Sequence, residues 1–94
     1  MDYIETLERI KKDELRVQIH NNDEKDDLVA ILMQEFGFDN GFECDWEGFP
    51  YVSTDEYESV VGWSCSVDQT IDFDEFMYIR SGMTNVEISA DGLL

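Results

Sequence analysis

Phe42-Glu43-Cys44-Asp45-Trp46-Glu47 alternates apolar and acidic side chains without a break. Such alternation is the mark of a half-buried strand. Successive strand side chains point to opposite faces, and residues two apart lie roughly 6.5–7 Å apart along one face. On this reading Phe42, Cys44 and Trp46 anchor a core while Glu43, Asp45 and Glu47 form an acidic row on the reverse. Upstream, Asp39-Asn40-Gly41 contains the asparagine-glycine turn signal. Downstream, Gly48 and Pro50 end the pattern before Tyr51-Val52.

Alternation returns further along. Val61, Trp63, Cys65 and Val67 are interleaved with Gly62, Ser64 and Ser66. Asp68-Gln69 reads as a hairpin turn into Ile71 and Phe73, with Asp72 and Asp74 as a second, shorter acidic row. Phe76 to Ile79 continues an apolar segment, Ser81-Gly82 turns, and Val86 with Ile88 forms a last strand. Ser53 or Thr54 opens either a short helix through Glu58 or a loop, and this segment carries a third acidic group, Asp55, Glu56 and Glu58.

The N-terminal half is helical in character. Asp2 caps residues 2–12, with Glu5 completing a capping box and Tyr3, Ile4, Leu7 and Ile10 at helical spacing. Leu15, Val17 and Ile19 alternate with polar residues as a strand, and Asn21-Asn22-Asp23 turns the chain. Asp23 then caps a second helix whose buried face is Leu28, Val29, Ile31, Leu32 and Phe36, with Gly37 as its stop. The expected architecture is α+β: one domain over residues 1–94, two helices from the N-terminal half packed on an antiparallel sheet.

Charge points toward function. The net charge is −17, and fourteen carboxylates lie between Asp26 and Ile79 without one lysine or arginine. All six basic residues (Arg9, Lys11, Lys12, Arg16, Lys25, Arg80) fall outside that stretch. Like-charge neighbours on a helix or strand each cost a few tenths of a kcal/mol. Ten such pairs would cost roughly 2–5 kcal/mol, against a total stability of about 5–15 kcal/mol. Large single-sign surfaces normally steer something. The chain is also 43% hydrophobic and 13% aromatic, which is the composition of a folded globule and not of an acidic tail.

Several classes are disfavoured. Direct nucleic-acid binding needs clustered Lys and Arg, so none is expected. The acidic N-terminus lacks a signal core, the apolar run Leu28–Met33 is too short to span a bilayer, and anionic lipid would repel the surface. Cytoplasm is the expected compartment, with Cys44 and Cys65 as reduced core thiols. His20 is the single histidine, which excludes a multi-histidine metal site. No nucleophile, base and orienter converge, no glycine-rich phosphate loop is present, and neither catalysis nor a cofactor is expected.

The sharpest rival is calcium. Ile71 to Phe76 resembles the closing half of an EF-hand, but Ser64 stands at loop position 1 and Gln69 at the obligatory glycine. Adaptation to high salt would favour Ala and Val over Ile and Phe and does not explain why the basic residues lie at the ends. An immunity protein neutralising a basic nuclease toxin is the main alternative, with Trp46, Tyr51 or Trp63 as aromatic anchors.

Small size, extreme acidity, mixed helix and strand patterning and the lack of catalytic machinery make the chain resemble phage-encoded DNA-mimic inhibitors of the anti-restriction and anti-CRISPR classes. The resemblance is one of overall character. It implies a carboxylate array that occupies the basic groove of a host nuclease in the host cytoplasm. The residues expected to stand in for phosphates are Glu43, Asp45, Glu47, Asp55, Glu56, Glu58, Asp72 and Asp74. A homodimer would double that charged surface.

Overall fold

A computed structural model describes residues 2–92, with side chains described through Gly82. Its elements are α1 (Tyr3–Lys11), β1 (Arg16–Gln18), α2 (Asn22–Phe36), β2 (Asp39–Asn40), β3 (Tyr51–Thr54), β4 (Ser59–Trp63), β5 (Thr70–Asp72) and α3 (Phe73–Gly92). The class is α+β, as the sequence patterns predict. The helices are not confined to the first half, and the sheet is mixed.

Local chemistry sets the helix ends. The Asp2 carboxylate accepts the Glu5 N–H at 2.8 Å and caps α1, while Tyr3, Thr6 and Ile10 face inward. Ile4, expected on that buried face, points to solvent. The cap of α2 is Asn21 and not Asp23: its side chain accepts the Glu24 N–H at 2.7 Å, which leaves Asp23 and Glu24 to complement the first turn. Gly37 ends α2 in the left-handed conformation (φ 70°), and its N–H donates to Met33 O at 2.8 Å.

The strand order is β2-β4-β3-β1-β5. β3 runs antiparallel to β1 and β4, whereas β1 pairs parallel with β5 and β2 pairs parallel with β4. The expected antiparallel sheet is thus corrected. Asp68-Gln69 does not make a hairpin: β5 runs parallel to β4 and lies beyond β3 and β1, so residues 64–69 pass over the face of the sheet that carries Arg16 to reach its start. The tight hairpin is instead β3–β4, which places Ser53 and Thr54 in a strand and residues 55–58 in a turn.

Val17, Ile19, Val52 and Val60 are fully buried beneath Ile10, Leu28, Leu32 and Phe76 from the three helices. Thr54, on the same side, donates to the Ile10 and Lys11 carbonyls at the end of α1. The opposite face is held by a polar stack. Arg16 lies over the Trp63 ring at 4.2 Å, bonds both Asp13 oxygens at 3.0 Å and donates to Cys65 O at 2.8 Å. Trp63 Nε1 donates to Ser53 Oγ, which in turn donates to Asp13. The hydrogen bonds to the Asp13 carboxylate raise the Arg16 pKa above its ordinary value, against the opposing effect of burial.

The segment expected as the last strand, at Val86 and Ile88, falls within the span of α3. Phe73 and Phe76 sit on one face of a helix as readily as Ile71 and Phe73 sit on one face of a strand. Asp74 and Glu75 then favour the helix by complementing its positive first turn. Ser81-Gly82 lies inside α3 and is no turn.

Candidate acidic binding surface

The strand predicted at Phe42–Glu47 does not form. β2 stops at Asn40, whose side chain accepts the Phe42 N–H at 2.8 Å. The Phe42 ring then turns inward onto Gly62, and the chain leaves the sheet as a loop that folds over the start of α2. Asn22 Oδ1 accepts the Trp46 N–H at 3.3 Å, and Lys25 Nζ donates to Cys44 O at 2.9 Å. Trp46 is half-buried against the core, while Glu43, Asp45 and Glu47 are exposed. The evenly spaced ladder is replaced by an irregular loop with several anchors. Cys44 is exposed with it, and Cys65, beyond the end of β4, is exposed as well, so neither is the core thiol expected.

The sheet topology decides which carboxylates share a region. β1, β2, β4 and β5 all run in one direction and β3 runs against them. The C-terminal ends of β1, β4 and β5 therefore meet at one end of the sheet with the start of β3, whereas β2 ends level with Val60 near the other end and the chain beyond it runs past Gly62 toward the first. The 43–47 loop lies there, as does the start of α2, with Asp23 and Glu24 in its first turn and Asp26 and Asp27 in the next. Asp72 closes β5 there, and Asp74 with Glu75 opens α3. Contacts link these pieces. The loop holds α2 through Asn22 and Lys25, and His20 then bridges Glu24 of α2 (3.2 Å) to Asp72 of β5 (3.0 Å). Glu43, Asp45, Glu47, Asp72 and Asp74 are thus brought to one end.

Asp55, Glu56 and Glu58 are not among them. They occupy the β3–β4 turn at the opposite end of the sheet. Asp55 has a structural task, since its Oδ1 accepts the N–H groups of Tyr57 at 2.9 Å and Ser59 at 3.1 Å. Glu58 adopts a left-handed conformation (φ 59°) that closes the turn. An open cavity of about 580 Å³ adjoins this turn, lined by Lys11, Lys12, Glu56, Tyr57 and Trp63 among others, so charge at this end is mixed.

Sequence reasoning passed over Glu24 and Glu75 and set aside Asp26 and Asp27 as helix-end residues. With the cap at Asn21 the first turn of α2 holds Asp23 and Glu24, so the helix-end explanation passes to these two and does not cover Asp26 and Asp27, which stand one turn further on. The signal was the coincidence of two acidic helix starts with the C-terminal ends of parallel strands, which appears only once the topology is known. Two helix N-termini facing this end offset part of the mutual repulsion. Lys25, the lysine within the group, has its ammonium bonded to Cys44 O and 5.1 Å from the centre of the Phe42 ring.

Among the described residues no three His, Cys, Asp or Glu side chains are grouped to hold a metal ion. The EF-hand reading meets β4 where its entering helix would be. No helix among the described residues is long and apolar enough to cross a membrane. No protein-family model, curated protein or solved structure matches the chain.

Proposed function

We propose that this protein binds a basic, nucleic-acid-binding protein through its acidic end, with carboxylates standing in for phosphates. The observation that carries the reading is the linked set of Glu43, Asp45, Glu47, Asp72, Asp74 and the first-turn carboxylates of α2 on a scaffold cross-braced by His20, Asn22 and Lys25. Pre-positioned charge lowers the ordering cost of association, and a strong field of one sign speeds encounter by about 10–10³-fold. A host-defence nuclease, whether restriction enzyme or CRISPR effector, offers the matching basic groove. Cytoplasmic action and a non-catalytic mode follow from that role.

An immunity protein built on tryptophan anchors is less well supported. Trp63 is covered by Arg16 and bonded to Ser53, and Trp46 packs against the core. The test is to neutralise the two acidic groups separately and measure affinity for purified nucleases against salt. The combined variant E43Q/D45N/E47Q/D72N/D74N should lose roughly tenfold or more in affinity at low salt and show a shallower salt dependence. Unchanged affinity in a folded variant would remove the acidic end from the interface.

A further inference from the structure

The cavity of about 580 Å³ beside the β3–β4 turn brings together Lys12 from the end of α1, Glu56 and Tyr57 from the turn, and Trp63 of β4. Its other lining charges are already engaged. Asp13 accepts two hydrogen bonds from Arg16, and Asp55 Oδ1 accepts the N–H groups of Tyr57 and Ser59. The Lys11 ammonium lies 5.7 Å from the centre of the Phe38 ring, which is outside the lining. Lys12 and Glu56 remain. They are opposite charges on one cavity, and neither side chain has a partner among the described residues.

Trp63 and Tyr57 supply the apolar surface. The indole is fixed, since Arg16 lies 4.2 Å over the centre of its ring and its Nε1 donates to Ser53 Oγ. Arg16 is outside the lining, so the indole meets the cavity with surface that the guanidinium leaves open. Tyr57 is 78% exposed although Asp55 pins its backbone, which leaves the phenol ring free to pack on a guest. The charge of that guest follows from the same inventory. An anion would approach against a net charge of −17. A cation would meet Lys11 and Lys12 in the cavity wall. A zwitterion has no net charge for that field to repel, and it offers one group to each unpaired side chain. An aromatic ring on the same molecule would pack on the indole and the phenol.

We propose that this cavity binds a free aromatic α-amino acid, with the ligand ammonium at Glu56, its carboxylate at Lys12 and its ring against Trp63 and Tyr57. The cavity adjoins the turn at the opposite end of the sheet from the 43–47 loop, so the site does not depend on the acidic end being a contact surface. Both charge contacts are open to solvent, and each contributes about as much as an exposed ion pair. Millimolar affinity is the scale for so small a ligand in an open site.

The test is a titration of the wild-type protein with L-phenylalanine, followed by NMR of its N–H groups. The backbone N–H signals of Lys12, Glu56 and Tyr57 and the indole N–H of Trp63 should shift together and saturate at millimolar ligand, while the indole N–H of Trp46 stays still. Hydrocinnamate lacks the ammonium and phenethylamine lacks the carboxylate. Each should bind roughly two- to fivefold more weakly, as loss of one exposed ion pair gives. L-Alanine, which lacks the ring, should give no saturable shift. Lys12 and Glu56 are exposed, so Lys12→Gln and Glu56→Gln should stay folded. Glu56→Gln should weaken phenylalanine by the same roughly two- to fivefold and leave hydrocinnamate no worse, and Lys12→Gln should weaken phenylalanine and leave phenethylamine no worse. The proposal is overturned by the absence of saturable shifts at these residues, by either single-charge analogue binding as tightly as phenylalanine, by an equal response to L-alanine, or by variants that bind phenylalanine as the wild type does.

Discussion

The ring of Phe42 occupies the space a side chain on Gly62 would need: an ideal Cβ there would lie 2.5 Å from two ring carbons. This close approach takes residue 42 off the path of β2 and starts the loop that carries Glu43, Asp45 and Glu47. Phe42 is 4% exposed, so the ring has little room to retreat. Gly62→Ala should destabilise the protein by about 1–3 kcal/mol, the usual cost of overpacking. Denaturant unfolding measures it, and the acidic loop should lose hydrogen-exchange protection in the same variant.

Asp13 gives a way to separate charge from backbone strain. It sits at φ 56°, in the left-handed region, and its carboxylate holds the largely buried Arg16. Asparagine tolerates that backbone conformation well and alanine does not. Asp13→Asn should therefore cost about 1.5–3 kcal/mol, as expected for loss of hydrogen bonds to a charged group, and Asp13→Ala should cost more. Urea unfolding of the two variants beside wild type measures both costs.

Two neighbouring acids in the β3–β4 turn should behave oppositely. Asp55→Ala removes the acceptor for two backbone N–H groups and should cost about 0.5–2 kcal/mol, as loss of a cap does. Glu56→Gln should lie within about 0.5 kcal/mol of wild type, as exposed substitutions usually do. Neither should weaken partner binding as the loop substitutions do, and unfolding curves paired with affinities check both halves.

Burial raises the pKa of the Tyr3 hydroxyl, more than its neighbours Arg80 and Glu35 alter it. A group kept neutral in the folded state and free to ionise in the unfolded one favours folding less as pH rises past the ordinary value of about 10. Stability should therefore decline above that pH, and Tyr3→Phe should flatten the decline. Alkaline denaturation profiles of the two proteins provide the comparison.

Much of the first half of the fold was legible because its signals are local. Asp2, Gly37 and the spacing of Leu28, Val29 and Leu32 each act within a turn or two of chain. The second half misled for a physical reason. Phe42-Glu43-Cys44-Asp45-Trp46-Glu47 has strand periodicity, yet its backbone is diverted by Asn40, Gly62 and Asn22, two of them distant in sequence. Ile71-Asp72-Phe73-Asp74 is a genuine boundary, where a strand face hands over to a helix face at one shared phenylalanine. Parallel pairing of β2 with β4 and β1 with β5 leaves no local trace, so the meeting of loop, α2 and β5 could not be read beforehand. The acidic bias itself was plain; that Asp55, Glu56 and Glu58 lie away from the rest was not.

The most direct measurement is displacement of a labelled DNA duplex from purified restriction nucleases and CRISPR effectors, followed by fluorescence anisotropy. The account predicts that the protein releases DNA from at least one such enzyme in a salt-sensitive manner. The variant E43Q/D45N/E47Q/D72N/D74N should release it far less well, and Glu56→Gln should act as wild type. A protein that binds its nuclease while the DNA stays bound, or a charge-neutralised variant that displaces DNA as effectively, would contradict it.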